Sequence, residues 1–349
     1  KITYELPHGG SHIYVSWSNI IHLGQCWFFT QKRKQISTLQ TLWRTRRGER
    51  RKASSACYGF GLKCTLRSVI MTATIISTDE LEYRVRTGKK QIVLASLWEP
   101  DEHSNYEHFK AGHIPTARFC DTALALADIP SASKGRNPLP TKTILERWFK
   151  YWGLDDTHEV IVYDDKRGFF AARAWWTLKW AGVSNVRILD GGQQEWVRRD
   201  YPMAAGPGNP CVYDNIVPSS GHMPTATIQD VKAHTGLLID ARETNRFAGR
   251  KEYLDLKAGH IPGAINIPTR AVMNPKQSFK PAEELREIFA SHGVTRDTIA
   301  DAIIYSGSGN HSAQVIAAMN IAGLGTPRHY VGGWSQWCAN RNNPVERGV

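Results

Sequence analysis

The sequence predicts an α/β fold in two copies, each a mostly parallel β-sheet flanked by helices. Two octapeptides nearly coincide 147 residues apart, KAGHIPTA at 110–117 and KAGHIPGA at 257–264. A second pair, GGQQEW at 191–196 and GGWSQW at 332–337, recurs in the same order 141 residues apart. This period is far longer than that of a solenoid repeat, so it indicates a duplicated domain. Strand-like and helix-like segments alternate between the repeated motifs, which favours parallel sheets.

The elements of the two copies are predicted in one common order. A helix precedes an apolar strand, and the Gly-His-Ile-Pro turn leads into a short strand. An amphipathic helix, a buried strand, a polar loop, an alanine-rich helix, another short strand and the Gly-Gly element follow. Apolar residues at helical spacing indicate the helices, and uninterrupted apolar runs indicate strands buried on both faces. The predicted helices span 78–87, 142–152, 171–181, 227–234, 282–291 and 313–322, and the main strands span 91–98, 160–163, 237–240 and 302–305.

Composition divides the chain into a leader, two domains and a linker. Residues 1–70 contain 12 of the 44 Lys and Arg residues but only two acids, so the leader holds most of the net charge of +12. We expect this basic leader to be disordered or artefactual, although its Arg-rich, acid-poor part has the composition of a transit peptide. The domains are predicted at 71–200 and 225–349, joined by a Pro- and Gly-rich linker at 201–224.

Charge, hydropathy and cysteine content exclude several function classes. The positive charge lies in the leader and does not interleave with the fold, so no nucleic-acid partner is expected. The apolar stretch at 12–30 is interrupted by polar residues, so neither a membrane span nor a membrane partner is expected. Six cysteines without a CxxC pair suggest no metal site and no disulfide framework, which fits the reducing cytoplasm. No cofactor is expected.

The loop at 306–311 is the predicted site of chemistry. It leaves a buried strand and enters a helix, and ligands of parallel sheets collect at the carboxyl ends of strands. Glycines let backbone amides turn inward into a nest, and the helix dipole behind the nest favours an anion. An ordinary polar turn is the alternative. The residues predicted to bind the anion are Gly307, Ser308, Gly309, Asn310 and His311.

From about residue 74 onward the chain resembles the tandem-domain rhodanese family, the thiosulfate and 3-mercaptopyruvate sulfurtransferases. The resemblance rests on both Gly-His-Ile-Pro turns and on VYD at 162–164, ARAWW at 172–176, RILDGG at 187–192 and GWSQW at 333–337. It implies two tandem rhodanese-like domains. The first is non-catalytic, and its loop begins with an aspartate, here Asp164. The second carries the catalytic loop.

The resemblance implies a catalytic cysteine at the position that Ser306 occupies. Residues 307–309 match the mercaptopyruvate-type loop, whereas 310–312 depart from the commoner Val-Thr-Ala. In the family a thiolate takes sulfur from the donor as a persulfide and passes it to cyanide or a thiol. A serine hydroxyl has a pKa far above the ~8.5 of cysteine and forms no stable equivalent of the S–S bond. We therefore expect a sulfurtransferase-type protein that is inactive or crippled.

The resemblance also implies the residues that bind the small-molecule sulfur donor. Arg246 aligns with a family arginine that binds the donor's carboxylate or sulfonate, a task that suits a guanidinium. A second family arginine has no clear match in this shorter loop, and Arg250 is its candidate surrogate. Arg167 and His113 are expected to line the inter-domain cleft. For His113 and His260, a turn-shaping role through backbone hydrogen bonds is the stronger expectation.

The residues leave other functions open. A non-catalytic anion-binding or interaction module would keep the fold without the nucleophile. A phosphatase needs the thiolate and a longer loop, and a serine hydrolase needs a Gly-x-Ser-x-Gly elbow that is absent. Cys120 and Cys338 lie outside any glycine-rich loop, so we expect them in the core. Ser306 is compatible with a native change and with an engineered replacement of cysteine.

Overall fold

The computed structural model describes residues 73–208 and 217–348 of the 349-residue chain. The predicted leader at 1–70 and the middle of the predicted linker, 209–216, lie outside the described residues. The described residues form two parallel sheets flanked by helices. This confirms the predicted α/β fold class.

The first sheet has five strands. They are β1 (Ile75–Ile76), β2 (Ile92–Leu97), β3 (Ala117–Asp121), β4 (Val160–Tyr163) and β5 (Val186–Leu189). The helices around it are α1 (Thr78–Arg86), α2 (Glu102–Ala111), α3 (Thr122–Ala125), α4 (Lys142–Tyr151), α5 (Phe169–Trp180) and α6 (Gly192–Arg198). The parallel order is β1-β5-β4-β2-β3. Strands β2 and β4 are buried along their whole length, because helices cover both faces.

The second sheet repeats this plan with four strands. They are β6 (Leu238–Asp240), β7 (Ile265–Asn266), β8 (Ile303–Tyr305) and β9 (Arg328–Tyr330), in the parallel order β7-β6-β8-β9. Its helices are α7 (Ile228–Ala233), α8 (Thr244–Phe247), α9 (Thr269–Val272), α10 (Ala282–Ser291), α11 (Asn310–Ile321) and α12 (Gly333–Ala339). Thr225 forms a parallel bridge to His329 at the edge where the first sheet has β1.

Helices α5 and α11 join the two domains. Every residue from Phe170 to Leu178 is buried, as is every residue from Ser312 to Met319. Both helices contribute to one hydrophobic cluster that contains side chains of both domains. A helix that is apolar on all sides is stable only where it is covered on all sides. The loops that precede α5 and α11 are therefore brought close to one another.

The structure departs from the predicted elements at several points, and the short helices α3, α8 and α9 are among the elements that were not predicted. Helix α2 was not predicted, because its sequence, EHSNYEHFKA, is polar and has no clear apolar stripe. Helix α11 begins at Asn310, before the predicted start at 313, because its polar first turn has the composition of a loop. No helix within the described ranges is both long enough and apolar enough to cross a bilayer.

Candidate active site

The loop at 306–309 connects the buried strand β8 to α11. Ser306 and Gly307 are buried, and Gly309 caps the helix with a positive φ of 90°. A Cβ atom at Gly309 would also lie 2.6 Å from Nη1 of Arg173. Side chains other than hydrogen are disfavoured at such a φ and have no room here. The glycine thus lets the chain enter the helix close to a guanidinium.

The repeated Gly-Gly element holds this loop from the other side. The backbone N–H of Trp334 donates to the carbonyl of Ser306 at 2.8 Å, and that of Ser335 donates to the carbonyl of Gly307 at 3.0 Å. Gly333 has a φ of 56°, and a Cβ atom there would collide with the Ser306 carbonyl oxygen. The first turn of α12 therefore satisfies the carbonyl groups of the loop.

The corresponding loop of the first domain binds its own carboxylate. Asp164 Oδ1 accepts from the amides of Lys166 and Gly168 at 3.1 and 2.9 Å. Oδ2 accepts from the amides of Phe170 and Ala171 at 2.9 and 3.0 Å. Burial raises the pKa of Asp164 to about 6, although these hydrogen bonds act in the opposite direction. Four backbone amides of this loop thus surround the loop's own carboxylate, whereas the nest was predicted for residues 306–311.

Ser306 fills the second loop far less. Its Oγ accepts from the amide of Gly309 at 3.1 Å. Among the described residues, no other side-chain oxygen accepts from a backbone amide of residues 307–312. By position, the amides that hold the second oxygen of Asp164 correspond to those of His311 and Ser312. Ser306 is shorter than aspartate and carries no charge. Ser306 therefore holds fewer backbone amides of its loop than Asp164 does.

Ser306 also contacts a buried side-chain network. Its Oγ lies 3.1 Å from Oγ of Ser312, which lies 2.6 Å from Nε2 of His329. All three residues are completely buried. Burial, together with the charge of Arg173, holds the pKa of His329 well below its usual range, so the imidazole is neutral.

Three guanidinium groups surround the loop. A Cβ atom at Gly307 would lie 3.0 Å from Nη2 of Arg136 and 3.5 Å from Nη1 of Arg246. Arg173 packs beneath Gly309, where it donates to the carbonyls of Leu126 and Asn137 at 3.0 and 3.1 Å. Burial lowers the pKa of Arg173 to about 10, so it stays charged at neutral pH. These charges favour an anion at the loop.

Two buried acids already pair with the outer arginines. Nη2 of Arg246 lies 2.7 Å from Glu252 Oε1 and 2.9 Å from Asp255 Oδ2. Arg136 forms an ion pair with the other oxygen of Asp255. Both acid side chains are only 4% exposed. In this state the ion pairs cover the loop, so a donor anion must compete with Asp255 for the two guanidinium groups.

A segment of the first domain, 133–137, lies against the second loop. Asn137 Nδ2 donates to Oγ of Ser308 at 2.9 Å, and the amide of Arg136 donates to Oγ of Ser335 at 3.1 Å. Gln336 Nε2 donates to the carbonyl of Ser133 at 2.5 Å. The site therefore belongs to both domains, and Arg136 is placed by these contacts.

A cleft of about 440 Å³ opens between the domains beside the loop. The predicted residues His311 and Arg167 line it, together with Phe169 and Gln314. The imidazole of His311 stacks on Phe169 with ring centroids 5.1 Å apart. Burial and the neighbouring charge of Arg246 lower the pKa of His311 to about 4, so the ring is neutral at pH 7. Arg167 is exposed, and its carbonyl accepts from Gln314 Nε2 at 2.6 Å.

The remaining predicted residues lie away from the loop or make structural contacts. Arg250 is exposed in the turn after α8. The ring of His113 stacks on Phe109 at 4.1 Å, and its Nδ1 lies 2.9 Å from the Phe109 carbonyl. His260 repeats this arrangement on Phe247, at 3.7 and 2.8 Å. These contacts are those of turn-shaping residues, the stronger of the two roles that the sequence suggests.

Other candidate nucleophiles and ligands are placed elsewhere. Cys120 and Cys338 are buried free thiols, and burial raises the pKa of each. Within the described residues, Glu99, His108 and Asp165 group their ligand atoms within 4.8 Å. However, Lys166 Nζ lies 2.6 Å from Glu99 and 3.9 Å from Asp165. This ammonium group already supplies the positive charge there.

Besides Arg173, sequence reasoning missed six residues whose side chains contact the loop or its arginines. Arg136 and Asn137 lie in SASKGRNP, whose composition is typical of a solvated turn. Ser312 and His329 are 17 residues apart and meet only because β8 and β9 are neighbours, with Ile304 opposite His329. For Glu252 and Asp255, the only available signal in the sequence was that two acids follow Arg246. The missed residues are Arg136, Asn137, Glu252, Asp255, Ser312 and His329.

Comparison with known proteins finds the same repeat. The model of the rhodanese-like domain matches residues 78–199 and again 225–340. SseB of Mycobacterium tuberculosis, named as a thiosulfate sulfurtransferase, is 34% identical over 281 residues, which cover 79% of this chain and 97% of the relative. A Pseudomonas aeruginosa protein named as a 3-mercaptopyruvate sulfurtransferase is 35% identical over 283 residues, with coverage of 79% and 99%.

A solved structure shares the architecture. The crystal structure of SseA from Escherichia coli, described as a 3-mercaptopyruvate sulfotransferase, superposes with a TM-score of 0.65 at 30% identity. The match covers 76% of this chain and all of the solved one. The two tandem domains and their parallel sheets are therefore common to both proteins.

Proposed function

The chain belongs to the rhodanese-like domain family, and we propose that it is built as a thiosulfate or 3-mercaptopyruvate sulfurtransferase that Ser306 leaves inactive or nearly so. One observation carries the proposal: Asp164 fills the amide nest of the first loop, whereas Ser306 leaves the nest of the second loop available. Relatives named for these two activities support the sulfurtransferase class.

The chemistry follows from a thiolate at position 306. A thiolate would attack the outer sulfur of thiosulfate, form an S–S bond and release sulfite. With 3-mercaptopyruvate, the C–S bond would break, pyruvate would leave, and the thiol proton would end on its methyl carbon. The persulfide would pass its outer sulfur to cyanide, giving thiocyanate, or to a thiol. In this proposal Arg246 and Arg136, which lie beside Gly307, hold the anionic end of the donor.

Ser306 breaks this sequence at its first step. An alkoxide is not available at neutral pH, and an O–S bond to the transferred sulfur would not persist. The amides and arginines do not depend on the side chain at 306, so the chain should still bind the donor anion. This supports the second candidate function, a non-catalytic anion-binding or interaction module of rhodanese fold.

Activity measurements on the chain and on Ser306→Cys separate the two candidates. We expect the chain to transfer no sulfur from thiosulfate or 3-mercaptopyruvate, and Ser306→Cys to transfer it from at least one donor. Mass spectrometry of Ser306→Cys after donor treatment should show a gain of one sulfur atom at position 306. Ser306→Ala is the control and should remain inactive. A Ser306→Cys protein that binds the donor without transfer would favour the module.

The same proposal places the protein in the cytoplasm. Both cysteines within the described residues are buried free thiols, as expected where the medium is reducing. A persulfide chemistry also needs its thiol kept reduced between turnovers. Localisation of the tagged full-length chain by microscopy tests this part of the proposal.

A further inference from the structure

Three buried side chains form a hydrogen-bonded chain from the loop into the second sheet. Ser306 Oγ lies 3.1 Å from Ser312 Oγ, and Ser312 Oγ lies 2.6 Å from His329 Nε2. Ser306 begins the loop, Ser312 is on the first turn of α11, and His329 is in β9. Each is completely buried, so water cannot substitute for a missing partner. The direction of donation along these hydrogen bonds decides whether the atom at position 306 accepts a hydrogen bond from Ser312 or donates one to it.

The surroundings of His329 fix that direction. Its Nδ1 is buried and has no hydrogen-bond partner. The ring packed edge-on against it, Trp176, has an indole N–H that also lacks a partner and can only donate. A proton on Nδ1 would thus be a buried donor without an acceptor, which is rarer and costlier than an unused lone pair. The Ser306 hydroxyl brings a proton of its own, whose placement offsets this cost, whereas an anion at position 306 brings none, so beside an anion at 306 the neutral ring carries its proton on Nε2.

We infer that Ser312, oriented by His329, donates a hydrogen bond to the side-chain atom at position 306 and stabilises a negative charge there. His329 Nε2–H donates to Ser312 Oγ, and the Ser312 hydroxyl then donates to position 306. The amide of Gly309 donates to the same atom at 3.1 Å. Ser312 and His329 are positioning residues, and neither is placed to contact the sulfur donor. The inference rests on the proposed function insofar as position 306 is the reacting position.

The opposite direction would make His329 a base for Ser306. In serine hydrolases a carboxylate holds the second imidazole nitrogen and stabilises the imidazolium that forms. Here that nitrogen has no partner, and the charge of Arg173 opposes a second positive charge on the ring. The row of hydrogen bonds from Ser306 to His329 thus lacks the carboxylate that would let His329 act as a base.

Several charged groups lie near position 306. An added Cβ atom would lie 2.6 Å from Arg173 at Gly309, and 3.0 and 3.5 Å from Arg136 and Arg246 at Gly307. Glu252 and Asp255 offset the charges of Arg136 and Arg246, and Asp240 is paired with Arg242 at 2.6 Å. The acids cancel part of the positive potential of the arginines. The hydroxyl of Ser312, a neutral donor in direct contact with position 306, therefore contributes substantially to the stabilisation of a negative charge there. Removing this hydroxyl should raise the pKa of a thiol at position 306 by about one unit.

The first test uses Ser306→Cys at a pH above the pKa of its thiol, where position 306 carries a negative charge. Nitrogen NMR of the His329 ring, assigned by comparison with the same protein carrying His329→Gln, should show a neutral ring protonated on Nε2 in that pH range. Protonation on Nδ1, or a charged ring in that range, would overturn the inference in favour of the base direction.

The second test measures the thiol pKa of Ser306→Cys from its alkylation rate against pH, with the unsubstituted chain as background for the other cysteines. Adding Ser312→Ala or His329→Leu should raise that pKa by about one unit. Ser312→Thr keeps the hydroxyl and His329→Gln keeps an N–H donor, so both should restore it. Ser96→Ala removes a similar buried hydroxyl from the first domain and should leave the pKa unchanged.

The outcomes separate the inference from the proposed function. An unchanged thiol pKa in folded Ser306→Cys/Ser312→Ala would refute the inference, whether or not sulfur is transferred. A pKa that depends on Ser312, in a Ser306→Cys protein that transfers no sulfur, would refute the sulfurtransferase proposal alone. Melting temperatures of all variants establish that each is folded.

Discussion

Asp164 and Ser306 occupy the same position in two copies of one loop, and their backbones are held in the same way. Each carbonyl oxygen accepts from the helix that follows the Gly-Gly pair, at 2.9 Å from Gln193 and at 2.8 Å from Trp334. The side chains differ: Asp164 accepts four backbone hydrogen bonds and Ser306 accepts one. The carboxylate of Asp164 thus occupies the amides of the first loop, whereas Ser306 accepts from one amide of the second loop, where we propose that an external anion binds.

Ser306→Asp should close the second loop as Asp164 closes the first. We expect thiosulfate or sulfite to raise the melting temperature of the chain, because a ligand that binds only the folded state stabilises it by mass action. Ser306→Asp should abolish this rise, since its carboxylate competes for the same amides. Thermal unfolding with and without the anions measures both effects. Ser306→Ala should keep the response, and an equal response from Ser306→Asp would show that the anion binds elsewhere.

The raised pKa of Asp164 predicts a pH dependence of stability. Burial raises this pKa to about 6 in the folded chain, above the 3.8 of an unperturbed aspartate. Between these values the folded state binds a proton that the unfolded chain has released. Protonation of Asp164 therefore contributes stability that is full below pH 3.8 and is lost as the pH rises through about 6.

Urea denaturation at a series of pH values tests this dependence on the chain and on Asp164→Asn. The difference in unfolding free energy between the two proteins should change across pH 4 to 6 and be constant above about 7. Asp190, whose pKa burial also raises to about 6, is present in both proteins and cancels in the comparison. A difference that does not vary with pH would contradict the assigned pKa.

The repeat, the sheets and the position of the loop were predictable, because each depends on a local pattern. A glycine-flanked loop after an apolar run such as β8 indicates a ligand site regardless of what packs around it. Asp164 and Ser306 were identified in the same way, as the first residues after equivalent strands. Their different hydrogen bonding needed the structure, because the amides that Asp164 accepts from lie as far along the chain as Ala171.

The residues around the loop could not be predicted, since contacts distant in sequence place them. Arg136 reaches Gly307 across 171 residues, through the packing of one domain on the other. His329 meets Ser312 because two parallel strands are neighbours, and a histidine within a three-residue strand gives no functional signal. Glu252 and Asp255 have the composition of a solvated loop but are buried against Arg246.

Asp255→Asn should strengthen anion binding. Asp255 pairs with both Arg136 and Arg246, so removing its charge leaves Arg136 without this acid partner and Arg246 with Glu252 alone, and both guanidinium groups become more available to the donor. We expect the dissociation constant for thiosulfate to fall by about five- to tenfold, roughly 1 kcal/mol, and the melting temperature without anion to fall. Isothermal titration calorimetry on the chain and the variant measures the change. Asp156→Asn, an exposed site in the first domain, is the matched control, and weaker binding by Asp255→Asn would show that Asp255 supports the site.

Gly333→Ala should disrupt the loop through its backbone. The residue has a φ of 56°, and an added Cβ would collide with the carbonyl oxygen of Ser306. Gly293 has a similar φ of 72° with open space around it, so Gly293→Ala bears only the conformational strain. We expect about 1 kcal/mol of destabilisation for Gly293→Ala and about 1–3 kcal/mol more for Gly333→Ala.

The pair of variants also separates stability from the site. Gly333→Ala should lose the thermal stabilisation by thiosulfate, because the Trp334 amide can no longer hold the Ser306 carbonyl at 2.8 Å and the nest changes shape. Gly293→Ala should keep that stabilisation in full. Urea denaturation gives the free energies, and thermal shifts give the anion response. Equal destabilisation by the two variants, with anion binding intact in both, would mean that the loop does not depend on the close approach of Gly333.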